Sequence, residues 1–190
     1  MWKLFAGVLL FAVPHLYSIL LPAARDGLKA RLGEGAYKGL YSLVSLAGLV
    51  LLAMAYLAGR SGPNSLEMFY EPWLGGRLVM MLLVFVGFIL IFANGSRGYI
   101  KKFVRNPFSW GIVLWSVGHL LVNGERAVVV IFGTFLILAI LDIAANERRG
   151  FRPAHIPQWS HDLRALVVGV VLFFVFALGF HPYVLNISVM

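Results

Sequence analysis

The chain has 190 residues, of which 61% are hydrophobic and 13% charged, and its mean hydropathy is +0.87; soluble domains are nearer half apolar and a quarter charged. Cysteine is absent, which excludes disulfides, thiolate catalysis and Cys-ligated metal or iron–sulfur centres. The net charge of +8 does not call for nucleic acid, because the basic residues sit in short connections between apolar stretches, where they encode membrane topology.

The first apolar stretch runs from Trp2 to Leu21. Lys3, the apolar run and Pro22-Ala23-Ala24 have the outline of a signal peptide. The stretch is read here as a retained helix, whose removal would delete Pro14 and His15 and leave five helices. The second stretch covers Leu40 to Ala58, with Glu34 in the preceding segment placed to start that helix. Gly35 and Gly39 form a small-xxx-small pair, most simply a packing face. The connection from Gly59 to Arg77 is the longest on its side and carries Pro63, Glu67, Glu71, Pro72 and Trp73. Tyr70 and Trp73 suit an interfacial aromatic belt.

The third stretch runs from Leu78 to Asn94 and the fourth from Phe108 to Val122. The fourth is short for a hydrocarbon core about 30 Å thick, so it is expected to tilt, to extend into its flanks or to form a buried re-entrant segment. Asn123-Gly124 marks a tight turn into the fifth stretch, Ala127 to Ala145. The sixth runs from Leu163 to His181. The expected fold is therefore all-α: one polytopic membrane bundle of about six spanning helices occupying the whole of residues 1–190.

Charge orients it. The first, third and fifth connections each hold 4 Lys or Arg residues, whereas the remaining 4 (Lys3, Arg60, Arg77 and Arg126) lie on the opposite side. Basic loops stay cytoplasmic, so both termini are expected outside, facing the periplasm in a bacterium.

Ionisable residues at membrane depth are costly and point to function. His15 follows Pro14 in the first stretch, roughly 9 Å from its inner end, and His119 lies roughly 16 Å from the inner end of the fourth, at 1.5 Å per residue. Helix tilt would bring the two level. Neutral imidazole is an axial ligand for haem iron, and helical bundles hold such cofactors between facing helices. Gly111, Trp115, Gly118 and His119 share one helix face. The glycines are expected to leave room for a flat ligand and Trp115 to stack on it, while Ala12 and Ser18 are small neighbours of His15. Spacing leaves three uses open for these histidines: haem ligation, hydrogen bonding to another helix and proton handling. Asp142 is expected to pair with a basic loop residue, and His155 and His161 to be solvated. His181, before Pro182, is a third and lesser ligand candidate.

The segment from Arg31 to Leu49 (RLGEGAYKGLYSLVSLAGL) and the segment from Leu114 to Gly124 (LWSVGHLLVNG) closely resemble signatures of the NnrU family, as do His15 and the terminal His181-Pro182-Tyr183. The resemblance spans essentially the whole chain. It implies a bacterial inner-membrane protein associated with denitrification and nitric oxide metabolism. It also implies a domain shared with the plastid 15-cis-zeta-carotene isomerase, a membrane enzyme that uses haem b, whose haem histidines match His15 and His119. Many relatives read Lys/Arg-His-Pro where this chain has Arg105-Asn106-Pro107, so the role of that histidine is missing here. Asn106 also breaks the Arg-His-Pro-x-x-x-Gly pattern of membrane methyltransferases.

Two main functions fit these residues. One is a haem b protein of the bacterial inner membrane with His15 and His119 as ligands, beside Trp115 and Gly118, acting in nitrogen-oxide metabolism or on a hydrophobic small molecule in a carotenoid-type isomerisation. The other is a non-enzymatic accessory or scaffold protein for a membrane partner, with structural histidines and no cofactor. A channel or carrier is a third, weakened by the scarcity of charge along any path. The lipid bilayer is the expected surrounding in each, and no nucleic acid is expected.

Overall fold

A computed structural model describes residues 2–60 and 67–187, so Pro63 of the second connection lies outside the described residues. Each apolar stretch forms a helix, because in lipid the backbone must satisfy its own hydrogen bonds. Helix α1 is Trp2–Leu20. Pro22 then occupies the first turn of α2 (Pro22–Leu32), where its missing N–H costs nothing. α2 buries no residue and ends at Gly33, whose φ of +83° suits glycine and few other residues. It is a polar surface helix at the basic end of the bundle, unforeseen from hydropathy because it is not apolar. Helix α3 (Glu34–Arg60) opens with Glu34 in its first turn, paired with Lys38 at 2.7 Å.

After a 3₁₀ turn at Leu74–Gly76 comes α4 (Arg77–Ala93). The short α5 (Tyr99–Val104) precedes α6 (Pro107–Val122) and α7 (Arg126–Arg148). Helix α8 (Trp159–Phe174) continues through a π-helical segment, Val175–Phe180, into α9 (His181–Val184). Among the described residues five helices are long and apolar enough to cross a membrane. The sixth, α6, has 16 residues, about 24 Å of rise, and is an unbroken helix rather than a re-entrant loop. Its shortness is tolerated because it lies between α4 and α7.

The helices pack in the order α3, α1, α7, α6, α4, α8, with α3 also touching α7. The small residues do the close work between α4 and α6. A side chain at Gly111 would meet the carbonyl of Gly87 at 2.6 Å, and one at Gly87 would meet the carbonyl of Gly111 at 2.9 Å. Glycine at both positions lets the two backbones touch, the usual route to tight packing in lipid. Gly35 and Gly39, by contrast, have nothing within 4 Å, so the pair expected to pack is an open face within this chain. Leu43, Leu82, Leu163 and Val171 are all exposed, an apolar exterior that suits lipid and would be a liability in water.

Contacts at the two ends fix the alternation. At one end Arg149 donates to the carbonyl of Ile19 at 3.1 Å, Gln158 N–H to that of Arg97 at 3.0 Å, and Arg105 pairs with Glu147 at 3.1 Å. The first, third and fifth connections therefore meet. At the other end the N–H of Phe69 reaches the carbonyl of Gly124 at 2.8 Å, and Arg126 pairs with Glu67. The basic connections thus share one end, as the charge pattern required.

Candidate functional site

Helix α7 serves as a ruler for the histidines. Its Phe132 lies flat against His119, centroids 4.2 Å apart and planes within 10°. Its Phe135, one turn further in, meets Phe11 at 5.1 Å and Trp115 at 5.5 Å. Phe11 stacks on His15 at 4.3 Å, and Ile19, one turn beyond His15, accepts from Arg149, which follows Asp142 at the basic end of α7. Phe132 and Asp142 are about 15 Å apart along the axis. His15 therefore belongs to the basic end and His119 to the opposite end, and tilt does not bring them level. Among the described residues α7 is the one helix packed on both α1 and α6, and the two imidazoles share no ring contact.

The imidazole beside His119 is His181, with centroids 6.2 Å apart and planes inclined by 24°. Sequence spacing ranked His181 below His15 because it sits at the end of its helix. The π segment changes this: its wider turn re-aims the residues after it, a device common at functional sites. His181 then bonds the carbonyl of Phe176, five residues back, at 2.8 Å.

The three histidines share one chemical state. His15 Nδ1 lies 2.6 Å from the carbonyl of Phe11, His119 Nδ1 2.8 Å from that of Trp115, and His181 Nδ1 2.8 Å from that of Phe176. A carbonyl only accepts, so each Nδ1 carries the proton and donates. With Nδ1 of each ring held by the backbone, Nε2 is the nitrogen left to act as a metal ligand. Among the described residues no Nε2 of the three has a hydrogen-bond partner. This donor set fits a haem b, held without thioether links since the chain has no cysteine. It fits the His119 and His181 pair better than the His15 and His119 pair, between which Phe11, Phe135 and Trp115 form a continuous chain of rings.

The room expected at Gly111 and Gly118 is occupied. A side chain at Gly118 would meet Val84 at 3.1 Å and the Met80 carbonyl at 3.2 Å, so both glycines face α4 rather than an open slot. Trp115 does offer a ring beside His119, at 5.5 Å, and packs on Phe132 at 4.9 Å.

The match over the chain is decisive for family. The family described as NnrU protein matches residues 3–189. The chain belongs to the NnrU family. No curated protein and no solved structure matches it.

At the basic end of this NnrU bundle lies a second polar group. Asp142 Oδ2 accepts from Asn106 Nδ2 at 2.9 Å and from Ser109 Oγ at 2.6 Å. The basic partner expected for Asp142 is not there; Arg105 turns instead to Glu147. Neutral donors suffice because they reach it from the first turn of α6, which points at α7. Asn106 thus has a donor's role. His155 is half-buried, with Nε2 donating to the carbonyl of Gly98 at 3.0 Å, rather than solvated. The sequence reading missed Phe132, Phe135 and Ser109. The α7 signal was present, since Phe132, Phe135 and Asp142 fall on one face by helical spacing.

Proposed function

We propose that this NnrU protein is a haem b protein of the bacterial inner membrane, and that His119 and His181 are the residues that would hold the haem iron. The reading is carried by the approach of these two imidazoles, each tied through Nδ1 to a backbone carbonyl. Two imidazoles 6.2 Å apart with no hydrogen-bond partner at Nε2 among the described residues suit a shared metal centre. Phe132 and Trp115 would flank the macrocycle and shield it from water. When bound, haem would supply electron exchange. The rest is done by the chain: the Trp115 and Phe176 carbonyls orient the imidazoles, and Phe132 of α7 stacks on that of His119.

The family resemblance directs this chemistry to nitrogen-oxide metabolism or to a carotenoid-type isomerisation of a hydrophobic molecule reaching the bundle from lipid. Purification in mild detergent from haem-replete cells tests the core of the reading. One non-covalent haem per chain, extractable as haem b, is expected. A colourless protein would favour the accessory role, with histidines that only orient helices. A haem lost on His15→Ala but kept on His181→Ala would move the second ligand to His15.

A further inference from the structure

We infer that the basic end of the bundle contains a binding site for a phosphate-bearing anion, most directly the headgroup of an anionic membrane lipid. The site is a cleft of about 790 Å³ between the connection after α4 and the segment linking α7 to α8. Arg97, Lys101, Arg152 and His155 line it, and no carboxylate does. Topology alone asks only that basic residues lie on this side of the membrane. It does not ask that they converge on one concavity.

The cleft is built rather than incidental. Lys102 donates to the carbonyls of Pro153 and His155 at 3.2 and 3.5 Å, and His155 to that of Gly98. Asp162 accepts from the N–H groups of Tyr99 and Ile100 at 2.7 and 3.0 Å, which holds α5 against α8. These bonds staple the two connections together and set the cations in place. Lys101 is anchored on the Asn94 carbonyl at 2.5 Å, and Arg152 donates to the Phe151 carbonyl at 2.8 Å and pairs at 3.3 Å with Glu147 outside the lining. Arg97 is exposed and has no ion-pair partner among the described residues.

The rim argues for a lipid. Ile156 is 84% exposed and Phe151 also faces outward, directly beside the cations. Apolar side chains adjoining basic ones at the cytoplasmic interface suit a ligand with a phosphate and acyl chains. A soluble phosphate compound would use the cations and leave Ile156 idle.

The test uses the full chain, purified in neutral detergent and stripped of lipid. Binding of short-chain phosphatidylglycerol and phosphatidylcholine is measured on the wild type, R97Q, R97Q/R152Q and R148Q, the last removing an exposed cation outside the cleft. The wild type should prefer phosphatidylglycerol at least about tenfold, each cleft arginine contributing roughly fivefold. R97Q should lose part of the preference, R97Q/R152Q nearly all of it, and R148Q none. Should R97Q/R152Q misfold, R97Q still reports, because the Arg97 side chain is exposed and makes no hydrogen bond or ion pair among the described residues. Inorganic pyrophosphate serves as competitor. Displacement assigns recognition to the phosphate alone and failure to displace assigns it to the whole lipid, and either result supports the site. Equal binding of the two lipids, or an equal loss in R148Q, would overturn it.

Discussion

His119 and His181 approach to 6.2 Å with their ring planes 24° apart, although 62 positions separate them in the chain. Two elements achieve this: the short α6, which places His119 near its outer end, and the π segment that closes the last spanning helix. The same α7 face that stacks on His119 through Phe132 separates it from His15.

The α4–α6 contact has no space for a side chain. Gly111→Leu should therefore destabilise the bundle by about 1–3 kcal/mol or more, the usual cost of overpacking. Thermal unfolding in detergent checks this. Gly39→Leu, at a position with nothing within 4 Å, should leave the midpoint nearly unchanged.

Asp142 accepts from both Asn106 and Ser109. Asp142→Leu strips the half-buried Asn106 amide and the buried Ser109 hydroxyl of this acceptor, at a cost of about 1–3 kcal/mol. Asp142→Asn keeps an acceptor oxygen and should lose less. Denaturant titration of reconstituted protein would rank the two variants, and a larger loss for Asn than for Leu would contradict the hydrogen-bonding account.

At the end opposite the basic connections the single Tyr70 hydroxyl proton is shared between the carbonyls of Leu120 and Asn123, which the end of α6 leaves free. Burial raises the Tyr70 phenol above its ordinary value of 10.0. The folded state thus favours the protonated phenol. Its contribution is fully present below the unfolded pKa and is lost as pH rises through the folded one. Amide exchange in residues 67–73 should therefore quicken in the alkaline range above about pH 10. Tyr70→Phe should show faster exchange already at neutral pH and no further step of this origin.

Hydropathy made the six apolar helices legible, five of them long enough to span, because lipid demands apolar length and nothing else competes with it. The basic connections made the alternation legible for the same reason. α2 and α5 were not visible, since short polar surface helices carry no hydropathic mark. His181 was undervalued because helical spacing assumes an α turn, and the π segment departs from it. Gly111 and Gly118 were assigned to the wrong neighbour: spacing groups them with His119 on one broad face but cannot say whether a helix or a ligand fills the space. Asp142 was assigned a charged partner on the strength of nearby arginines, whereas Asn106 and Ser109, at the start of α6, are closer in space than in any local pattern.

The most direct test is the absorption spectrum of the purified protein and of two single variants. A Soret band that is present in the wild type, abolished or strongly reduced by His119→Ala, and shifted by His181→Ala is the result expected. A protein with no Soret band, or with a band that His119→Ala leaves unchanged, would contradict the account.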